Sequence, residues 1–312
     1  MTLLHQKISS YPTDLLPWQS RIHPLNTIVA DIKRDDELSF GISGSKMRKY
    51  RTLLPYLQNL KVQEAVLIGG AQSNHLVGLC QLLIERGIKP TLFLRGSQHN
   101  ELLGNQFLLN LLITKESMHW ISRQDWPNVN ALADKYAQNK SNTIVIPEGG
   151  ALFPSLIGSM SLTLDLEKVD YDTIYCDSGT GISAIALLLS FAYLKKRTHI
   201  HILLVAGNEQ EFMDNLWQWH AEFEEWMGIS CPKPQNFTLH LSENAKSFGS
   251  VNQTLITFIK DFIKKEGVFI DPIYMGKLFY FVKQHVNSNL KNLIIHSGGG
   301  FALFGFENSF KK

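Results

Sequence analysis

Short runs of β-branched and aliphatic residues recur along the chain: AVLI at 65–68, TLFL at 91–94, TIVI at 143–146, TIYC at 173–176, HIHILLV at 199–205 and NLIIH at 292–296. Most are apolar at successive positions rather than at alternate ones. A strand buried on both faces needs that pattern, so the runs predict parallel strands covered by helices on each side. Helix-length stretches fill the intervals, over Met47–Leu60, Asn74–Arg86, Asn100–Leu112, Ser155–Leu166, Ser183–Leu194, Gln210–Met227, Gln253–Glu266 and Tyr274–Val286. The alternation predicts an α/β fold of parallel-rich open sheets flanked by helices. Loop punctuation at Gly149-Gly150 marks a domain boundary near 150, with a further loop at Cys231-Pro232-Lys233-Pro234.

A chain of 312 residues fits two domains at roughly 150 residues each. Hydrophobic residues at 44% and charged residues at 19% exclude a disordered tail, a collagen or a coiled coil. The 30 basic and 28 acidic side chains nearly cancel, so no field favours nucleic acid or an acidic membrane as partner. The apolar run from Ile182 to Leu194 is shorter than the roughly 18–20 residues that cross a bilayer, and predicts a buried helix. Cys80, Cys176 and Cys231 are far apart in sequence, which indicates neither a disulfide framework nor a zinc site and suits a reducing compartment. The N-terminus lacks a basic segment leading into an apolar one, so no secretory signal is expected and the location is read as cytoplasmic.

Candidate chemistry sits where small residues join a strand to a helix. Gly44-Ser45-Lys46-Met47-Arg48-Lys49 puts three cations on a helix start, where they oppose the macrodipole and invite an anion. A phosphate-binding Walker loop is excluded, because it needs Gly before the lysine and a hydroxyl after it, and here those residues are Ser45 and Met47. A plain solvated first turn is the alternative. Gly69-Gly70-Ala71-Gln72-Ser73-Asn74-His75 follows a strand and offers either an anion seat or an ordinary N-cap. Ser178-Gly179-Thr180-Gly181-Ile182-Ser183-Ala184 fits G-x-G-x-x-[GA] and suits a dinucleotide or a single phosphate. No acid follows until Glu209, later than a ribose-binding residue is expected, which weakens the NAD reading. His296-Ser297-Gly298-Gly299-Gly300 and Asp271-Pro272-Ile273-Tyr274 are each open to a structural turn or a ligand contact.

Taken in order, these segments, together with IHPLN (22–26), KRDDELSFG (33–41), PEGGALFPSLIG (147–158) and IHSGGGFALFGF (295–306), resemble the pyridoxal-phosphate enzymes of the tryptophan synthase β type, fold type II. Within them the likeness is to the D-cysteine desulfhydrase and 1-aminocyclopropane-1-carboxylate (ACC) deaminase family. The resemblance implies a large domain of residues 1–50 and 153–312, a small one of 51–152, and the cofactor between them. It implies that Lys46 carries pyridoxal 5'-phosphate and acts as base at the substrate α-carbon, with Arg48 and Lys49 assisting and Lys49 near the phosphate. Gly179, Thr180, Gly181, Ile182 and Ser183 would cradle the phosphate, Asn74 would meet the ring hydroxyl, and Ser297 the pyridine nitrogen. Ser73, Asn74 and His75 would meet the substrate, and Tyr274 would orient it or assist proton transfer. A small amino acid is the implied substrate and a homodimer the implied assembly.

Met275 and His75 replace the Glu and Gln that mark ACC deaminases in this family, which favours β-elimination from a D-amino acid such as D-cysteine, giving keto acid, ammonia and sulfide. Three departures keep other readings open: Ser45 for the commoner Asn, Phe248 for a second active-site Tyr, and Met275 for the Thr of the desulfhydrases. ACC deamination and a catalytically impaired ligand-binding homologue are the alternatives, and an NAD-dependent oxidoreductase rests on the glycines of 179–181 alone.

Overall fold

The computed structural model describes residues 2–12, 19–39, 43–97 and 103–311. Residues 100–102 of the predicted helix 100–112 and residues 40–41 of the 33–41 motif lie outside them.

Among the described residues ten strands run in chain order: β1 Ile22–Pro24, β2 Asp31–Lys33, β3 Glu64–Gly70, β4 Lys89–Arg95, β5 Met118–Ile121, β6 Thr143–Ile146, β7 Thr173–Ser178, β8 His199–Leu204, β9 Phe237–Leu241 and β10 Asn292–Ile295. The helices are α1 Leu3–Ser9, α2 Lys46–Asn59, α3 Asn74–Glu85, α4 Gly104–Leu112, α5 Val129–Ala137, α6 Phe153–Ser159, α7 Ser161–Asp165, α8 Ile182–Tyr193, α9 Glu209–Met227, α10 Gln253–Glu266, α11 Met275–His285 and α12 Glu307–Lys311. They build two sheets, one of order β5-β4-β3-β6 and one of order β1-β2-β10-β7-β8-β9. Every pairing is parallel except β1 with β2. The chain is α/β, as the apolar runs predict.

Both faces of both sheets are covered, which is why the central strands need no polar side. Leu67, Leu92 and Ile146 meet α2, α3 and α4 on one face of the smaller sheet, while Val66, Ile68 and Phe93 meet Val129 and Ala133 of α5 on the other. In the larger sheet Ile174, Ile202 and Leu293 pack beneath α6, α8 and α9, and Tyr175, Leu203 and Ile294 beneath α10 and α11. The apolar run at 182–194 is the buried helix α8, and among the described residues no helix is long and apolar enough to cross a membrane.

Two helix predictions change. The single helix expected over 155–166 is two, because the Met160 amide is shared between Leu156 and Ile157 carbonyls at 3.2 and 3.1 Å and the Ser159 hydroxyl turns back to the Ser155 carbonyl at 2.8 Å, which tightens the turn. Tyr274, expected as the first residue of a helix, is instead the N-cap of α11, which begins at Met275.

Candidate active site

The carboxyl ends of strands from both sheets open on one cavity of about 180 Å³, where the helices that follow them begin. Ligands of open α/β sheets bind at such strand ends. Twelve of the thirteen residues given a site role from the sequence line it: Lys46, Lys49, Ser73, Asn74, His75, Gly179, Thr180, Gly181, Ile182, Ser183, Tyr274 and Ser297. Five separate segments of chain supply them.

Backbone contacts set Lys46. The Ser45 amide donates to the Ser297 carbonyl at 3.0 Å, joining the start of α2 to the end of β10. Gly44 makes that approach possible: its φ is +53°, and a Cβ there would lie 2.3 Å from the Ser297 carbonyl oxygen. Burial then lowers the Lys46 pKa, with Asp177 and Asp271 opposing the shift. Burial and the neighbouring Lys46 bring the Lys49 pKa down to about 7, and its ammonium donates to the Gly149 carbonyl at 3.1 Å. Arg48 does not join them. It is buried away from the cavity, with two hydrogen bonds to Asp35 at 2.6 and 2.7 Å and one to Asp165 at 2.9 Å; the helix turn between residues 46 and 48 sends it to the opposite side. The expected assistance from Arg48 is therefore corrected to a structural ion pair.

The second turn is braced from α4. Asn105, wholly buried, donates to the Gln72 carbonyl at 2.9 Å and to Asn74 Oδ1 at 2.7 Å. With its oxygen engaged there, Asn74 keeps its amide hydrogens for other partners, and its nitrogen lies against Gly299, where a Cβ would come within 2.7 Å of it. Ser73 is the N-cap of α3. His75 contacts Tyr50 of α2, its Nδ1 lying 3.1 Å from the phenol oxygen.

The third turn is an anion seat. Gly181, at φ +88°, lies three residues past β7 and is the N-cap of α8, which no side chain caps, so the first amides of that helix are free to meet a ligand. A Cβ at Gly179 would lie 3.3 Å from the Tyr274 ring. The Ser178 hydroxyl is buried and has no hydrogen-bond partner among the described residues. Uncapped amides, an orphaned hydroxyl and the Lys49 ammonium together suit a phosphate.

Tyr274 is placed by Asp271, which is fully buried and accepts from the amides of Ile273 (2.8 Å), Tyr274 (2.8 Å) and Met275 (3.1 Å). Burial raises the Tyr274 pKa, with Asp271, Asp177 and Glu148 adding to it, so the phenol stays protonated. Phe248 lines the cavity too and meets the Tyr274 ring edge-on, with centroids 5.9 Å apart. Met275 does not line it. Its sulfur sits behind Ser297, 3.2 Å from that residue's amide nitrogen and 3.8 Å from its hydroxyl.

Sequence reasoning missed Asp177, Glu148 and Arg95 in the lining, and Asn105 and Tyr50 behind it; it named Ser178 and Asp271 within candidate segments but gave neither a role. Asp177 adjoins the glycine motif and was legible as the end of its strand. Nothing in the spacing points to Asn105, which reaches the site only through the packing of α4.

No family model matches the chain. The bifunctional D-cysteine desulfhydrase/ACC deaminase of Arabidopsis thaliana is 25% identical, over 95% of this chain and 78% of that protein. The D-cysteine desulfhydrase of Yersinia pestis is 24% identical over 97% of this chain and 98% of its own. The chain is similar along nearly its whole length to curated D-cysteine desulfhydrases and ACC deaminases. In solved structures, an ACC deaminase homologue aligns with a TM-score of 0.84 and 22% identity over 100% of this chain and 99% of that one. A pyridoxal 5'-phosphate-dependent aspartate racemase aligns at 0.62 and 10% identity over 95% and 94%. These structural likenesses show that the chain has the fold of the fold type II enzymes.

Proposed function

We propose that this protein is a pyridoxal-phosphate-dependent lyase that carries out α,β-elimination on a small D-amino acid of the D-cysteine type, giving keto acid, ammonia and the β leaving group. The observation that carries the reading is the convergence of twelve residues from five distant segments on one cavity. Lys46 would hold the cofactor, the Gly179–Ser183 turn with Ser178 and Lys49 its phosphate, and Asn74 and Ser297 its ring. Once bound, the cofactor supplies an electron sink for the bond broken at the substrate α-carbon.

The chain's own groups perform the rest. Burial disfavours the charged form of Lys46 Nζ, and the amine, once it has given up its proton, is a competent nucleophile and a base for the α-proton. Ser73 and the amides of its turn orient the substrate carboxylate. The Tyr274 phenol, protonated by its burial, donates a hydrogen bond to the bound amino acid. The two domains would be residues 1–50 with 153–312, and 51–152, the cavity lying between their sheets. A cytoplasmic location accords with three buried free cysteines, and the family resemblance supports a homodimer.

Borohydride reduction of the yellow protein followed by peptide mapping should place the cofactor on Lys46, and absorption is expected at roughly 400–430 nm. A panel of D- and L-amino acids with ACC should then give pyruvate from D-cysteine. A label at another lysine sinks the assignment of Lys46; 2-oxobutyrate from ACC alone moves the activity to ring-opening deamination, and no keto acid from any compound leaves a ligand-binding protein.

A further inference from the structure

His75 is 4% exposed and lines the cavity, yet its Nε2 has no hydrogen-bond partner among the described residues. Its other nitrogen is engaged by Tyr50, a fully buried side chain of α2. The Tyr50 hydroxyl lies 3.1 Å from Nδ1 and 3.0 Å from the carbonyl oxygen of the same histidine. A phenol has one proton to give. Two oxygens at that distance attract only with a hydrogen between them, and a carbonyl supplies none, so Tyr50 donates to the carbonyl. The phenol oxygen can then meet Nδ1 only as acceptor, which requires the ring proton to sit on Nδ1. The Ser43 hydroxyl also hydrogen-bonds this phenol and favours its ionised form, as a donor to the phenol oxygen does, so it makes no claim on the phenol's proton.

The consequence falls on the far side of the ring. With Nδ1 protonated, Nε2 carries a lone pair. Burial, then Lys49 and Lys46, hold the His75 pKa well below the ordinary imidazole value, so the ring is neutral at physiological pH. A Cβ at Gly150 would lie 2.7 Å from Cε1 and 3.1 Å from Nε2, so glycine at that position keeps this edge of the imidazole open.

We infer that Tyr50 is a positioning residue that locks His75 in the Nδ1-protonated tautomer, so that Nε2 accepts a hydrogen bond from a thiol or hydroxyl on the substrate β-carbon. This rests on the reading of the cavity as an amino-acid site and narrows it to substrates bearing a donor hydrogen there. The tautomer itself does not depend on that reading.

Nitrogen NMR of the holoenzyme labelled with ¹⁵N-histidine, with the His75 signals assigned by their loss in His75→Gln, tests the first half. A protonated Nδ1 beside a bare Nε2 is expected, and Tyr50→Phe should mix or reverse the two. A proton on Nε2 in the parent protein, or an unchanged tautomer in Tyr50→Phe, overturns the lock. Kinetics test the second half. The parent should prefer D-cysteine over S-methyl-D-cysteine by roughly tenfold in kcat/KM, the worth of about one hydrogen bond. In Tyr50→Phe that preference should shrink toward unity, and His75→Gln, whose amide oxygen also accepts, should keep part of it. Equal preference in parent and Tyr50→Phe overturns the specificity role. Should neither compound turn over, the elimination reading fails, and the NMR tautomer alone decides the role of Tyr50. If Tyr50→Phe does not fold, the parent tautomer and the His75→Gln preference still decide the case.

Discussion

Two groups of cations arise from the same turn of chain and meet opposite fates. Arg48 enters a closed network with Asp35, Asp165 and Lys33, in which every charge is paired. Lys46 and Lys49, two residues before and one after it, face the cavity, and among the described residues neither has an ion-pair partner; the nearest opposing charges act on them only from Asp177 and Asp271. Pairing spends a charge on holding the fold. An unpaired, desolvated charge is a standing cost that a ligand can relieve, and that contrast separates scaffold from site more sharply than burial alone, since both groups are buried.

The contrast can be broken at either end. Lys46→Met should lower keto-acid formation by on the order of 10⁴ or more, while leaving the melting temperature unchanged or raised, because a desolvated cation is removed. Arg48→Met should do the reverse, destabilising by about 3–5 kcal/mol in a denaturant titration because Asp35 is left buried and unpaired. Restoring packing with a second change, Asp35→Leu, should recover part of that loss. If Lys46→Met unfolds the protein and Arg48→Met does not, the division between scaffold and site is wrong.

A pH titration sharpens it. Lys49 binds its proton less tightly folded, at about 7, than in the unfolded chain, near 10.5. Between those values the unfolded state holds more protons, so the cost of the charge is full below pH 7 and fades as pH rises toward 10.5. The cofactor-free protein should therefore melt higher as pH climbs through that window, and Lys49→Met should flatten the climb. Inorganic phosphate seated at the α8 turn would hold the proton on Lys49 and shift the rise to higher pH. Smallest is Phe248→Tyr, which puts a hydroxyl beside the Tyr274 ring. A gain of roughly three- to tenfold in kcat/KM is expected if proton transfer uses it, and no change would mark Phe248 as a wall of the cavity alone.

The strands the apolar runs reveal are those covered on both faces and flanked on both sides, or close to it: β3, β4, β7, β8 and β10 at the sheet interiors, with β6 at an edge. Four escaped. β1 and β2 are three residues each and include Pro24, while β5 and β9 are edge strands with half-buried or exposed side chains, so a continuous apolar signal never develops. The site residues were legible as turns between strand and helix because backbone geometry there restricts the residue types. Asn105 was not recognised, because its work is to hold Asn74 across space, and spacing along the chain carries no trace of that; Asp271 acts locally, on the amides of the three residues 273–275, a short-range pattern that an Asp before a helix start could have signalled.

β10 lies between β2 and β7 in the larger sheet, and its carboxyl end completes the seat of Lys46 through the Ser297 carbonyl. The smaller sheet draws all its strands from residues 64–146. A chain emerging from the ribosome can therefore close that sheet early, whereas the other keeps a gap at its middle until the last strand is made. Nascent protein would acquire the lysine's surroundings only at the end of synthesis, so truncation before residue 292 would strand an otherwise translated polypeptide without a place for its cofactor.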